Sequence, residues 1–166
     1  MSDWKKIVLA IAIPETVGFL GSYFTKKSIN TWYKHIRKPS FTPPNWIFGP
    51  MWTLLYAGMG YASYLVWRDG GGFEGPALKA LQAYELNLVF NGIWTPLFFG
   101  AKRMGLAGID IVATWASIVY CIHLFTPINA TAGKLMWPYL GWVSFASLLN
   151  FSMWYLNRNT PSIKED

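Results

Sequence analysis

The sequence predicts an all-α integral membrane protein, a bundle of five transmembrane helices in a single domain over residues 1–166. Three observations carry that prediction. Residues 46–67 form a run of 22 without one Asp, Glu, Lys or Arg, and a hydrocarbon core of about 30 Å needs roughly 20 apolar residues as helix. Soluble helices rarely go so long uncharged, because one face must meet water. Charged residues make up 13% of the chain and hydrophobic ones 53%, where a soluble domain carries about 25% charged. Nearly all of the ten tryptophans lie in or beside apolar runs. Trp46 and Trp67 stand at the two ends of one of them, apolar in body and polar at the N–H, as interfacial anchors do.

Four more runs complete the bundle. Residues 7–24 are interrupted by Glu15 alone, 80–100 contain Glu85, and 104–125 hold Asp110 and His123, while 135–157 are free of charge. Lys5 and Lys6 ahead of the first run give it some likeness to a signal peptide. Pro14 and Glu15 interrupt it and no A-x-A-like cleavage site follows, so it is read as a span. Five spans put the termini on opposite sides. One side carries Lys26, Lys27, Lys34, Arg37, Lys38, Lys102, Arg103, Arg158 and Lys164; the other carries Lys5, Lys6, Arg68, Lys79 and Lys134. The excess of cations on the first side predicts that it is cytoplasmic, with the N-terminus facing away from the cytosol.

The net charge of +6 does not point to nucleic acid. The cations cluster in short segments between apolar runs, and no RNA- or DNA-binding motif accompanies them. Cys121 is the single cysteine, which excludes an intramolecular disulfide and a thiolate-built metal cluster. His35 and His123 fall on opposite sides of the bundle, so no metal site is expected. There is no G-x-S-x-G, H-E-x-x-H, P-loop or dinucleotide fingerprint, and no catalytic residue is assigned.

The longest connection, residues 25–45, mixes Pro39, Pro43 and Pro44 with basic and aromatic residues, which suppresses helix. A structured loop of that length is a lid, a binding element or a tether. Within the third run, Asn87, Asn91 and Trp94 are spaced four and three apart and share one helical face. Lipid offers amides no partner, so this stripe either bonds to other helices, lines a cavity, or does both. Pro96 should kink the same helix. Asp110 and Glu85 are within reach of an interface; Glu15 is nearer mid-membrane and stands out. Small residues at Gly18/Ser22 and Gly58/Ala62 permit close helix approach, within one bundle or across a homodimer seam. The residues by themselves lead to an aromatic-rich interior suited to something flat and apolar.

Several segments together resemble one family. K-P-S-F-T-P-P-N-W at 38–46 is followed by G-P-M-W-T-L-L-Y at 49–56; F-N-G-I-W-T-P-L-F-F-G stands at 90–100 and P-Y-L-G-W-V-S-F-A-S-L-L-N at 138–150. These are similar to the translocator protein family, also called the peripheral-type benzodiazepine receptor or tryptophan-rich sensory protein. G-Y-A-S-Y-L-V-W at 60–67 looks like the animal branch. The resemblance covers nearly the whole chain in order. It implies a five-helix receptor or transport-associated protein that binds cholesterol, porphyrins and synthetic benzodiazepine-type ligands within the bundle. It also implies a place in the outer mitochondrial membrane. Porphyrin or haem would be a ligand rather than an obligatory cofactor.

Carried over residue by residue, the family's pocket falls on Trp52, Asn91, Trp94, Trp142 and Leu149. Ser22, Thr25, Phe48, Gly49, Met51, Leu106, Ile109, Ala113, Phe145 and Ala146 take the other pocket positions. Leu106 stands where mammalian members commonly have Trp. The family's cholesterol-recognition segment is altered here: Phe151 replaces its Tyr and Tyr155 its Arg. A shifted pattern of Leu149, Tyr155 and Arg158 remains, and Leu149, Phe151 and Tyr155 are expected to share a side of the helix. Two other readings stay beside the binding one. One is light-dependent porphyrin breakdown, with Trp52 and Trp142 stacked on the macrocycle; the other is a scaffold whose ligands tune partner contacts.

Overall fold

The computed structural model describes residues 1–161; Lys164, counted above among the cytoplasmic cations, lies outside the described residues. Five long helices account for most of the chain: α1 (Asp3–Ser28), α3 (Asn45–Asp69), α4 (Gly75–Thr95), α5 (Met104–Phe125) and α7 (Trp137–Asn157). Two short ones, α2 (Trp32–His35) and α6 (Ala130–Leu135), sit in the connections. The shortest of the five has 21 residues, about 32 Å at 1.5 Å per residue, which matches a bilayer core. By length and composition α1 and α5 are apolar enough to cross a membrane; α3, α4 and α7 owe more of their apolar character to Trp, Tyr, Gly and Ala.

The helices form a ring. α1 packs on α3 and α4, α4 on α5, α5 on α7, and α7 returns to α3. The tightest crossing is between α1 and α3, where a Cβ on Gly60 would come within 2.6 Å of the Ile11 backbone. Gly18 lies under the Tyr56 ring, and Ala62 is fully buried. These small residues serve packing within one chain.

Pro96 does more than kink α4. It has no N–H to give, and the chain widens into a π-turn over Pro96–Gly100, with Ala101 N–H donating to the Pro96 carbonyl (2.7 Å) and Arg103 N–H to that of Leu97 (2.9 Å). The widened turn carries Phe98 and Phe99 into the interior, a common use of such bulges. α6 has its own N-cap. The Asn129 side chain accepts from Ala132 N–H (2.9 Å) and donates to the Asp69 carboxylate (2.6 Å), tying α6 to the end of α3. Hydrogen bonds from Arg68 and then Asn129 hold the Asp69 carboxyl down at about 2.

The outside of the ring is apolar. Phe19, Leu54, Val89, Ile109 and Leu148, one from each long helix, are all more than half exposed. A surface of that kind fits lipid rather than water. Cations stack on aromatics at both ends, Lys6 over Trp67 (5.0 Å) at one and Lys38 over Tyr33 (4.4 Å) and Arg158 over Tyr155 (4.3 Å) at the other, as expected of an interfacial belt.

Inside, two packed layers leave a gap. One half of the bundle is filled around Met59, Val66, Ile118, Phe125, Met136 and Tyr139. At the opposite end α2 lays Trp32, Tyr33 and Ile36 on Phe98, Phe99, Leu149 and Met153. The space between them is the site.

Candidate functional site: an aromatic cavity within the bundle

The cavity has a volume of about 490 Å³ and is walled by all five long helices, within the 300–1,000 Å³ typical of small-molecule sites. Its floor is a chain of hydrogen bonds running from helix to helix. The Tyr56 hydroxyl donates to Asn91 Oδ1 (2.8 Å), Asn91 Nδ2 to the Tyr139 hydroxyl (2.8 Å), and that hydroxyl to Asn87 Oδ1 (3.1 Å). Asn87 Nδ2 then reaches Ser117 Oγ (2.9 Å). Four helices are joined through two amides, and every amide atom in the chain has a partner. Lipid-level amides need this saturation.

The walls are aromatic. Trp52 stacks on Tyr56 with centroids 5.5 Å apart and meets Trp142 edge-on at 6.5 Å; Phe48 meets Trp142 at 5.7 Å. Across the cavity Trp94 lies parallel to Phe98 at 4.9 Å. Its indole N–H donates to Asn150 Oδ1 (3.0 Å), and Asn150 Nδ2 donates to the Met104 carbonyl (2.9 Å). Trp94 is thereby held in one orientation. Trp142 Nε1 is different: it is buried and has no hydrogen-bond partner among the described residues. α1 supplies the fourth side through Glu15, Gly18, Ser22, Thr25 and Lys26, one face of a helix at steps of three and four.

The Asn87–Asn91–Trp94 stripe does both things open to it. All three residues bond to other helices, and Asn91 and Trp94 also line the cavity. Of the residues assigned to the pocket, Ser22, Thr25, Phe48, Gly49, Trp52, Asn91, Trp94, Trp142, Ala146 and Leu149 line it. Met51 packs against the core beside it, and Phe145 lies behind Trp142, between it and Phe41. Ala113 is half-buried and outside the lining. Leu106 and Ile109 are 45% and 68% exposed. On α5 the inward positions are Ala107, Ile111, Thr114 and Ile118, so one step of 100° turns their neighbours toward lipid.

The sterol segment also divides. Leu149 points into the cavity, whereas Phe151 and Tyr155 are 42% and 60% exposed. Residues two apart on a helix are some 200° apart around it, so Leu149 and Phe151 do not share a side; Phe151 and Tyr155, four apart, do. Arg158 covers Tyr155, and Phe151 packs over Gly108.

Sequence reasoning missed Tyr33, Tyr56, Thr114, Asn150 and Glu15 as lining residues. Two had a readable signal: Tyr56 is one turn from Trp52, and Asn150 follows Leu149 in the same quoted block. Tyr33 reaches the cavity through the fold of the loop, which no helical period announces.

Comparison with known proteins agrees with this architecture. A model of the TspO/MBR family matches residues 10–156. The chain is 38% identical to the translocator protein of Ovis aries over 159 residues, covering 96% of this chain and 94% of that one. It is 39% identical to the translocator protein of Homo sapiens over 136 residues, with 82% and 80% covered. It is also 42% identical to the tryptophan-rich protein TspO of Archaeoglobus fulgidus over 156 residues, with 92% and 97% covered. A bundle with lipid-compatible outer faces, a tryptophan-walled interior and matches along nearly its whole length make this chain a membrane protein of the TspO/MBR family.

Proposed function

We propose that the chain is a five-span receptor of the outer mitochondrial membrane that binds flat, largely apolar ligands inside its bundle. The ligand classes are tetrapyrroles (porphyrin or haem), sterols such as cholesterol, and benzodiazepine-type synthetic molecules. The observation that carries the reading is the cavity wall. Trp52, Trp94 and Trp142 line one cavity that all five long helices share. Likeness to relatives called translocator proteins and the resemblance to the animal branch support the transport-associated role and the mitochondrial location.

A porphyrin would meet this lining through its ring, among Trp52, Trp94 and Trp142. No His or Cys is among the cavity residues, while the aromatic walls offer stacking surface for the macrocycle. Sterols have a second surface, the outward face of α7 at Phe151, Tyr155 and Arg158, which opens to lipid.

Titrating the purified protein with protoporphyrin while following Trp emission tests the reading. Binding should quench the emission saturably. Trp142→Ala should weaken it by about 1–3 kcal/mol, on the scale of one base stacked on an aromatic side chain. Trp137→Ala, at an exposed position, should leave the affinity unchanged. Normal binding by both Trp94→Ala and Trp142→Ala would place the ligand elsewhere.

A further inference from the structure

Glu15 is placed where a carboxylate is costly. It lies eight residues from Ile7 and nine from Phe24 in the first apolar run, so about 12–14 Å of helix separates it from either end. At that depth an ionisable group is expensive unless something pairs with it. Yet among the described residues no ion pair or hydrogen bond reaches Glu15, and its side lines the cavity.

Several of the surrounding donors are already committed. The Tyr56 hydroxyl, the neighbour that senses the Glu15 charge, gives its hydrogen to Asn91. Asn91 Nδ2 donates to Tyr139. The hydroxyls of Ser22, Thr53 and Thr114 donate to carbonyls of their own helices. Lys26, at the mouth, is eleven residues farther along α1, about 16 Å of helix rise, too far for an ion pair. These bonds leave the Glu15 carboxylate facing the cavity without a partner among the described residues.

We propose that Glu15 is a specificity-determining residue of this cavity: it selects ligands that present a hydrogen-bond donor, an ammonium or a hydroxyl, from an otherwise flat apolar body. The inference rests on the cavity being a ligand site, and it names what that site recognises. The donor end of the ligand lies deep, beside Tyr56, and the apolar body lies between Trp52, Trp94 and Trp142. Any acidic group on the ligand points outward to Lys26.

Three pyrene probes of one shape separate these ideas: 1-methylpyrene, 1-pyrenemethanol and 1-pyrenemethylammonium. Each accepts excitation energy from Trp, so binding to the full chain in phosphatidylcholine nanodiscs is read directly. At least one donor-bearing probe should bind about tenfold more tightly than methylpyrene, after correction for partition into lipid. Whichever donor wins names the ligand chemistry. In Glu15→Gln the ammonium preference should fall to within about twofold. In Glu15→Met any hydroxyl preference should fall as well, because Gln still accepts a hydrogen bond and Met does not. Methylpyrene should bind all three proteins alike, which reports an intact cavity. If one variant loses methylpyrene binding, the other variant and the wild-type preference decide. Equal affinities for the three probes in wild type, or a donor preference that survives in Glu15→Met, overturns the role of Glu15 while leaving the cavity reading in place. Saturable transfer from none of the probes overturns both.

Discussion

Asn157, at the last turn of α7, grips the backbone of Arg37 with both ends of its amide. Oδ1 accepts from Arg37 N–H (2.9 Å) and Nδ2 donates to the Arg37 carbonyl (2.8 Å). The two residues are 120 positions apart. This clasp fixes the proline-rich loop across the end of the bundle. Ser28 adds a second tie, its hydroxyl donating to the Phe99 carbonyl (2.6 Å) on the π-turn.

Asn157→Ala removes the clasp and should free the loop without opening the bundle. Each neutral hydrogen bond nets about 0.5–1.5 kcal/mol, so exchange of the amides around residues 31–42 should speed by roughly ten- to a hundredfold. Amides in the middle of α3 and α4 should keep wild-type rates. Hydrogen exchange by mass spectrometry reads both, and unchanged loop exchange would mean the burial of Trp32, Tyr33 and Ile36 holds the loop unaided.

The floor of the cavity is a stability element as much as a site. Tyr139→Phe deletes the hydroxyl that accepts from Asn91 and donates to Asn87, leaving two buried amides each one partner short. The cost should be about 1–3 kcal/mol, visible as a lower Tm in detergent. Tyr56→Phe strips a donor from Asn91 Oδ1 alone and should cost less. Equal Tm values for Tyr139→Phe and wild type would show that the network adds no net stability.

Much of this was legible in the sequence. The five apolar runs correspond to the five long helices. The Asn87–Asn91–Trp94 stripe was readable from spacing. What spacing could not give is how far each helix is rotated. Leu106 and Ile109 were assigned to the pocket and lie on the outward face of α5, since an apolar residue carries no mark that tells lipid from cavity. The π-turn after Pro96 was read as a kink, because a proline announces a lost donor but not the way the carbonyls recover. α6 went unread in the connection ahead of the last run, since its Asn129 cap is a single residue.

The outward face of α7 yields a prediction about sterol. Phe151 has the ring of the family's Tyr without its hydroxyl, and restoring one hydrogen bond is worth about 0.5–1.5 kcal/mol. The double variant Phe151→Tyr, Tyr155→Arg should therefore bind cholesterol roughly threefold to tenfold more tightly. A photo-crosslinkable sterol would show it as increased labelling. Because the face is outside the cavity, protoporphyrin should not compete for that label. Equal labelling of variant and wild type would make Phe151 a packing residue.

Filling the cavity shows whether ligand binds inside the bundle. Ala146 lines it from α7 and is half-buried, so Ala146→Trp places an indole in the ligand's space with an opening to move into. Far-UV circular dichroism and Tm would establish that the variant is folded. Protoporphyrin titration followed by Trp quenching should then show affinity reduced by at least about tenfold, a loss of 1.4 kcal/mol or more. A folded Ala146→Trp protein that binds protoporphyrin as tightly as wild type would place the ligand outside the bundle.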